Sequence, residues 1–336
     1  MARPDSIKDS MNKILRAIVI AAAVFMLAQA ATACAPQKAP IRIAVPAWAG
    51  VEPADLAAQL GYFEKYGVDV KIVRFSVYSD SIEALVDRKV DAGMHTLGDI
   101  IRCQSEGRDV RILLLTDYSF GSDGLVARPG IESLADLRGK KIGVETGSAS
   151  YLSLLKILEM GGMTSNDVTI VSIPTREIQK SMLEHRIDAG ILWETYLTST
   201  AEATGGKVLI TSHEYPETII STLSIDAALV EDRPEDVRGI VAAYFDAVEY
   251  IKANPQDAYQ RMGKTGISES DFEKQAAGGR FYDLSANARL FGKNGSGQIY
   301  AQAQSVAQFL FDQGLIPQLP DIKRIFEPSF VQALNK

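Results

Sequence analysis

The segment Glu145-Thr-Gly-Ser-Ala-Ser150 sets an acid, a glycine and two serines ahead of a run with helical character, residues 151–159. Gly147 permits close backbone approach, Ser148 suits an N-cap, and Tyr151 follows in the first turn. Free N–H groups and the helix dipole at such an end suit a sulfonate, carboxylate or phosphate. The plainer alternative is that Ser148 only caps its own helix. Trp48 and Trp193 each stand just past a strand-like run. They can either clamp the apolar body of a ligand or fill the core. Tyr78 and Ser79, and likewise Thr96 and Leu97, share that placement. The segment Asp117-Tyr-Ser-Phe-Gly-Ser-Asp123 contributes Asp117, Ser119 and Asp123. Two acids there can pair with an ammonium or protonated ring nitrogen, or close a solvated turn. Glu194 adds a further acid, and Arg176 is the nearest cation at a helix start. The acidic lean of these loops fits a zwitterion, or a neutral-to-basic heterocycle, better than nitrate or sulfate.

This chemistry is binding rather than catalysis. The chain has no GxSxG, no phosphate-binding GxxxxGK[ST] loop and no GxGxxG after a strand. His95, His185 and His213 lie far apart without metal-ligand spacing, and Cys34 and Cys103 make no zinc pattern. Cys103 sits in an apolar, helical stretch and reads as a small core residue. We expect no metal and no cofactor. A net charge of −7 argues against a nucleic-acid partner. With 46 % apolar and 23 % charged residues, the 336-residue chain has the make-up of a folded protein.

The elements that must position these residues alternate between strand and helix. Residues 41–48 read as a strand, 53–65 as a helix, 68–75 as a strand and 81–88 as a helix; 90–94 form a strand, 97–106 a helix and 110–116 a buried strand. The order then recurs. Lys141-Ile-Gly-Val144 answers Arg42-Ile-Ala-Val45, residues 168–173 answer 68–73, and Ile187-Asp-Ala-Gly190 answers Val90-Asp-Ala-Gly93. Two related β-α-β-α-β lobes follow, each a mostly parallel sheet flanked by helices, with a ligand cleft beyond the strand ends. In Asp-Ala-Gly, glycine allows tight packing and aspartate serves the turn. From residue 225 the chain turns helical, over 234–253, 257–262, 271–277 and 300–313, with a polar loop at 287–297. This part is expected to cover the first lobe.

Residues 1–33 form a separate object. Arg3, Lys8, Lys13 and Arg16 precede an apolar run at 17–28 that ends in small residues before Cys34. That is the order of a secretory signal, and the run is shorter than the roughly 20 residues a bilayer span needs. Ala31-Thr32-Ala33-Cys34 is similar to a bacterial lipoprotein box, so either lipidation at Cys34 or plain cleavage follows.

The chain resembles periplasmic solute-binding proteins of ABC transporters, in the group that binds nitrate, taurine, aliphatic sulfonates and thiamine-pyrimidine precursors. The resemblance spans residues 41–330. It rests on Leu60-Gly-Tyr-Phe-Glu-Lys-Tyr-Gly-Val-Asp-Val70, Val90-Asp-Ala-Gly93, Leu134-Ala-Asp-Leu-Arg-Gly-Lys-Lys-Ile-Gly-Val144 and Asp188-Ala-Gly-Ile-Leu-Trp-Glu194. The tail, with Gly314-Leu-Ile316 and Glu327-Pro-Ser-Phe330, adds to it. Thr195 stands where many relatives carry proline. The resemblance implies a class II two-lobe fold that closes on its ligand by a hinge. The expected division is 41–127 and 223–336 in lobe 1 and 128–222 in lobe 2. It further implies a monomeric, non-enzymatic periplasmic importer component that binds a small-molecule ligand and delivers it to an ABC permease in the inner membrane. A taurine- or sulfonate-like solute leads, and a pyrimidine precursor or other basic heterocycle is second. A biosynthetic enzyme on the same fold is the alternative class.

Overall fold

The structure, a computed structural model, describes residues 38–46, 52–216, 218–262 and 278–335. The expected leader, Cys34, Trp48 and the helix at 271–277 lie outside the described residues. Pro40–Lys336 forms one compact unit.

Among the described residues, eleven strands build two sheets. They are β1 (Ile41–Pro46), β2 (Val70–Phe75), β3 (Ala92–Thr96), β4 (Val110–Ser119), β5 (Asp123–Ala127), β6 (Lys141–Val144), β7 (Thr169–Ser172), β8 (Ala189–Trp193), β9 (Lys207–Thr211), β10 (Ile220–Asp226) and β11 (Gly279–Phe281). The six-stranded sheet runs β11-β4-β10-β3-β1-β2, and the five-stranded sheet runs β7-β6-β8-β5-β9. The repeat in the sequence is a repeat in space. In one sheet β1 pairs parallel with β2 and β3; in the other β6 pairs parallel with β7 and β8. Ile43 and Ala44 face Ala92 and Gly93 just as Ile142 and Gly143 face Ala189 and Gly190.

The sheets are mixed rather than mostly parallel, because the chain crosses between them twice. After β4 it passes into β5, which pairs antiparallel with β8 and β9. After β9 it returns as β10, antiparallel to β3 and β4. The two crossings lie side by side and are tied together. The Ser119 and Ser212 hydroxyls are 2.7 Å apart, the Gly121 N–H donates to Ser212 Oγ at 2.7 Å, and the Phe120 and His213 rings pack at 4.1 Å. Gly121 has φ +107, and a Cβ there would lie 2.7 Å from the His213 ring, so this tie needs glycine.

Each Asp-Ala-Gly has one shared job that differs from the turn role. Asp91 Oδ2 accepts the Arg42 N–H at 2.8 Å, and Asp188 Oδ2 accepts the Lys141 N–H at 2.9 Å. Each carboxylate thereby satisfies a backbone donor near the start of the strand that lies between two parallel neighbours in its sheet. The glycines do serve packing: a Cβ on Gly190 would lie 2.3 Å from Ile178 Cγ2.

The six-stranded sheet is enclosed in one large core with Ile43, Leu114, Val241 and Phe291. The five-stranded sheet carries an apolar cluster on each face, and alternation along β5 divides it: Leu125 joins Ile142 and Leu154, whereas Val126 joins Ile178 and Leu192. Two elements differ from expectation. The helix expected over 53–65 is two helices, Glu52–Gln59 and Tyr62–Lys65, because Gly61 adopts the left-handed conformation. The loop expected over 287–297 begins inside a helix, Leu284–Phe291. Asn287 is fully buried there. Its side chain accepts the Leu115 N–H at 2.7 Å and donates to the Leu115 carbonyl at 2.9 Å. It stands in for a neighbouring strand just past the end of the β11–β4 pairing.

Candidate functional site

Strand ends and helix starts from both lobes meet around one cavity of about 750 Å³, its mouth included. Thr96 ends β3 and caps the helix Leu97–Ser105 through a bond from the Asp99 N–H. Val77, Ser148, Pro174 and Thr195 sit at the N-caps of the helices Tyr78–Val86, Ala149–Met160, Thr175–Leu183 and Tyr196–Thr204. The cavity is thus bounded by helix N-termini, and its remaining wall comes from the crossing strands through Asp117, Ser119, Asp123, Ile219 and Ser221.

The structure brings Tyr78, Thr96, Asp117, Ser119, Asp123, Ser148 and Trp193 of the candidate residues onto this wall, with Arg176 beside them. Others have different surroundings. Leu97 is buried in the first core, since the first turn of its helix faces inward. Glu194 turns to the next helix, where it accepts from the Thr198 hydroxyl and N–H. Tyr151 lines a second, smaller cavity with Arg102 and Leu152. Gly147 meets Ser79 across the cleft, where its Cβ position lies 3.2 Å from Ser79 Cβ. Ser76, Val77, Pro174, Thr175, Tyr196, Ile219 and Ser221 line the cavity without having been singled out. Thr175 and Tyr196 were findable: each opens a helix directly after a strand of the repeat.

Tyr78 is held firmly. Its hydroxyl donates to Asp99 at 2.8 Å and accepts the Thr96 N–H at 3.0 Å. Burial, with Asp99 beside it, pushes its ionisation well above the usual tyrosine range, so it stays a neutral donor. Its ring meets Trp193 of the other lobe at 6.2 Å, and Trp193 meets Tyr196 at the same distance. These rings give the cavity an aromatic side. Behind Tyr78 lies His95, whose burial lowers its pKa to about 3, so it is neutral.

The polar side is acidic. Asp117, Asp123 and Glu145 expose 1, 6 and 5 % of their surface, whereas Arg176 is the lining cation among the described residues and its side chain is 44 % exposed. Burial pushes the Asp123 carboxyl up to about 7, and the charges of Asp117 and Glu194 push it the same way while a hydrogen bond from Ser119 opposes them. Ser148 does cap its own helix: its hydroxyl accepts the Ser150 N–H at 3.2 Å and donates to the Glu145 carbonyl at 2.9 Å. Ser148 thus caps its own helix and also lines the cavity.

Two α/β lobes of mixed sheets, joined by paired crossing strands and enclosing a cavity lined from both, define the fold of the periplasmic binding proteins. The alkanesulfonate-binding protein SsuA from Xanthomonas axonopodis pv. citri, bound to MOPS, superposes with a TM-score of 0.71 at 17 % identity, over 88 % of this chain and 100 % of that one. The desulfurization enzyme DszB has the same fold, with a TM-score of 0.65 at 18 % identity over 89 % of this chain and 99 % of that one. The chain belongs to the NMT1/THI5-like family, whose model matches residues 51–258. In sequence it is similar to the taurine-binding periplasmic protein of Escherichia coli (strain K12), 24 % identical over 87 % of this chain and 93 % of that protein. Among the described residues no helix is long and apolar enough to cross a membrane.

Proposed function

We propose that this protein is the extracytoplasmic solute-binding component of an ABC importer, and that its ligand is a small organic molecule carrying a protonated amine. The observation that carries the ligand reading is the cavity wall itself. Asp123 is buried on that wall beside the charges of Asp117 and Glu194, and its own charge is costly there unless a cation or a proton joins it. Arg176 can receive an anionic group on the same ligand, so an aminosulfonate such as taurine satisfies both ends. Nitrate and sulfate offer the acids nothing. A basic heterocycle of the thiamine-pyrimidine-precursor type is the second reading, favoured by the Tyr78, Trp193 and Tyr196 rings.

Closure on the ligand would present the surface that a permease in the inner membrane recognises. Residues 1–33 would direct export to the periplasm, with Cys34 either lipidated or exposed by cleavage.

Calorimetry on the mature protein with taurine, alkanesulfonates, aminopyrimidines, nitrate and sulfate tests the reading. Saturable binding of an amine-bearing compound without turnover is expected, with no response to nitrate or sulfate. Turnover of a panel compound would assign the protein to the enzymes of this fold. Nitrate binding tighter than any amine would overturn the ligand class.

A further inference from the structure

Glu145 follows β6 in the second lobe, and its carboxylate reaches two helix starts at once. Oε1 accepts the Ser79 N–H at 3.0 Å, in the first turn of Tyr78–Val86 of the first lobe. Oε2 accepts the Thr175 N–H at 3.1 Å and the Thr175 hydroxyl at 3.0 Å, at the start of Thr175–Leu183 in its own lobe. Neither helix has a side-chain cap from its own N-cap residue, since Val77 and Pro174 cannot supply one. A helix start without such a cap leaves N–H donors and a positive dipole end for an anion. Here a buried carboxylate of the protein takes that place, on the cavity wall.

We propose that Glu145 determines ligand charge: it acts as a resident anion that fills both helix starts, so the cavity rejects solutes whose only polar group is an anion. Two consequences follow. A sulfonate or carboxylate must displace or approach a fixed negative charge, and gains entry only with a cationic group that Asp123 can hold. The bond to Ser79 also spans the two lobes, so it exists only while they are apposed, and the resident anion contributes to the closed arrangement. Gly147 permits this approach, because its backbone lies against Ser79.

The inference deepens the solute-binding reading and rests on it, but its assay uses anions alone. Methanesulfonate and acetate are titrated against the wild-type protein, Glu145→Ala and Glu145→Gln, with thermal shift and calorimetry as readouts. Wild type is expected to bind neither. Glu145→Ala, with both helix starts vacated, binds both saturably and at least about tenfold more tightly than wild type, the loss of charged hydrogen bonds being worth that much. Glu145→Gln keeps the volume and drops the charge, so both anions gain by at least about threefold, less than in Glu145→Ala because the space stays filled. Should the alanine variant not fold, the glutamine variant alone decides. Methanesulfonate affinity unchanged from wild type in every folded variant overturns the proposal, as does wild-type protein that binds the anions equally well. Failure of wild type to bind any amine-bearing solute would instead overturn the solute-binding reading.

Discussion

At the scale of single residues, the ligand reading turns on how the protons of the cavity acids are held. Burial lifts the Asp123 carboxyl to about 7, so near neutral pH it is poised between its neutral and charged forms. A cationic ligand needs the charged form. Above pH 7 that form is already present and affinity is flat. Below pH 7 the ligand must expel a proton, and Kd rises about tenfold per pH unit. Calorimetry from pH 5 to 8 checks this, and Asp123→Asn should both weaken binding and flatten the profile. A wild-type profile already flat from pH 5 to 7 would remove Asp123 from contact with a ligand cation. Asp117 and Asp123 were readable in the sequence as candidates. Their burial was not, because an acid in a turn and an acid on a cavity wall have the same local neighbours.

At the scale of elements, the alternation of strand and helix and its recurrence are local patterns. Period-two strands, amphipathic helices and the paired Asp-Ala-Gly segments carried that much. Asn287 shows where local pattern fails. A polar residue among Asn, Gly, Lys and Ser reads as a loop, yet its partners are the backbone groups of Leu115, far away in the chain. Buried polar groups need partners, and only the tertiary structure reveals that the partner is a strand. Replacing Asn287 with alanine leaves the Leu115 N–H and carbonyl unpaired inside the first core and should cost about 2–4 kcal/mol. Urea unfolding measures it, and a loss under about 0.5 kcal/mol, the range of neutral surface changes, would show that water or a neighbour replaces the amide.

At the scale of the whole molecule, the contacts between lobes cluster at the cavity: Tyr78 with Trp193, Glu145 with Ser79, and Arg102 with the Gly147 carbonyl at 3.4 Å. Among the described residues the chain passes between the two sheets at the crossings near Ser119 and Ser212, which is where the hinge of the proposed function would lie. A ligand touching both lobes is therefore expected to shift the population toward closure. Solution scattering should show a smaller radius of gyration on binding. Ligand at a hundredfold excess over Kd should add about 2.7 kcal/mol and raise Tm by about 5 °C. Binding with an unchanged radius of gyration would mean that the lobes do not move. The sequence by itself determined the α/β class, the repeated lobes and the short segments from which a site could be made, because each is written in hydrophobic period and local turn chemistry. Only the tertiary structure decided which helix starts are open. Glu145 lies far along the chain from both Ser79 and Thr175, and the charge a cavity accepts depends on which groups meet there, not on which are neighbours in sequence.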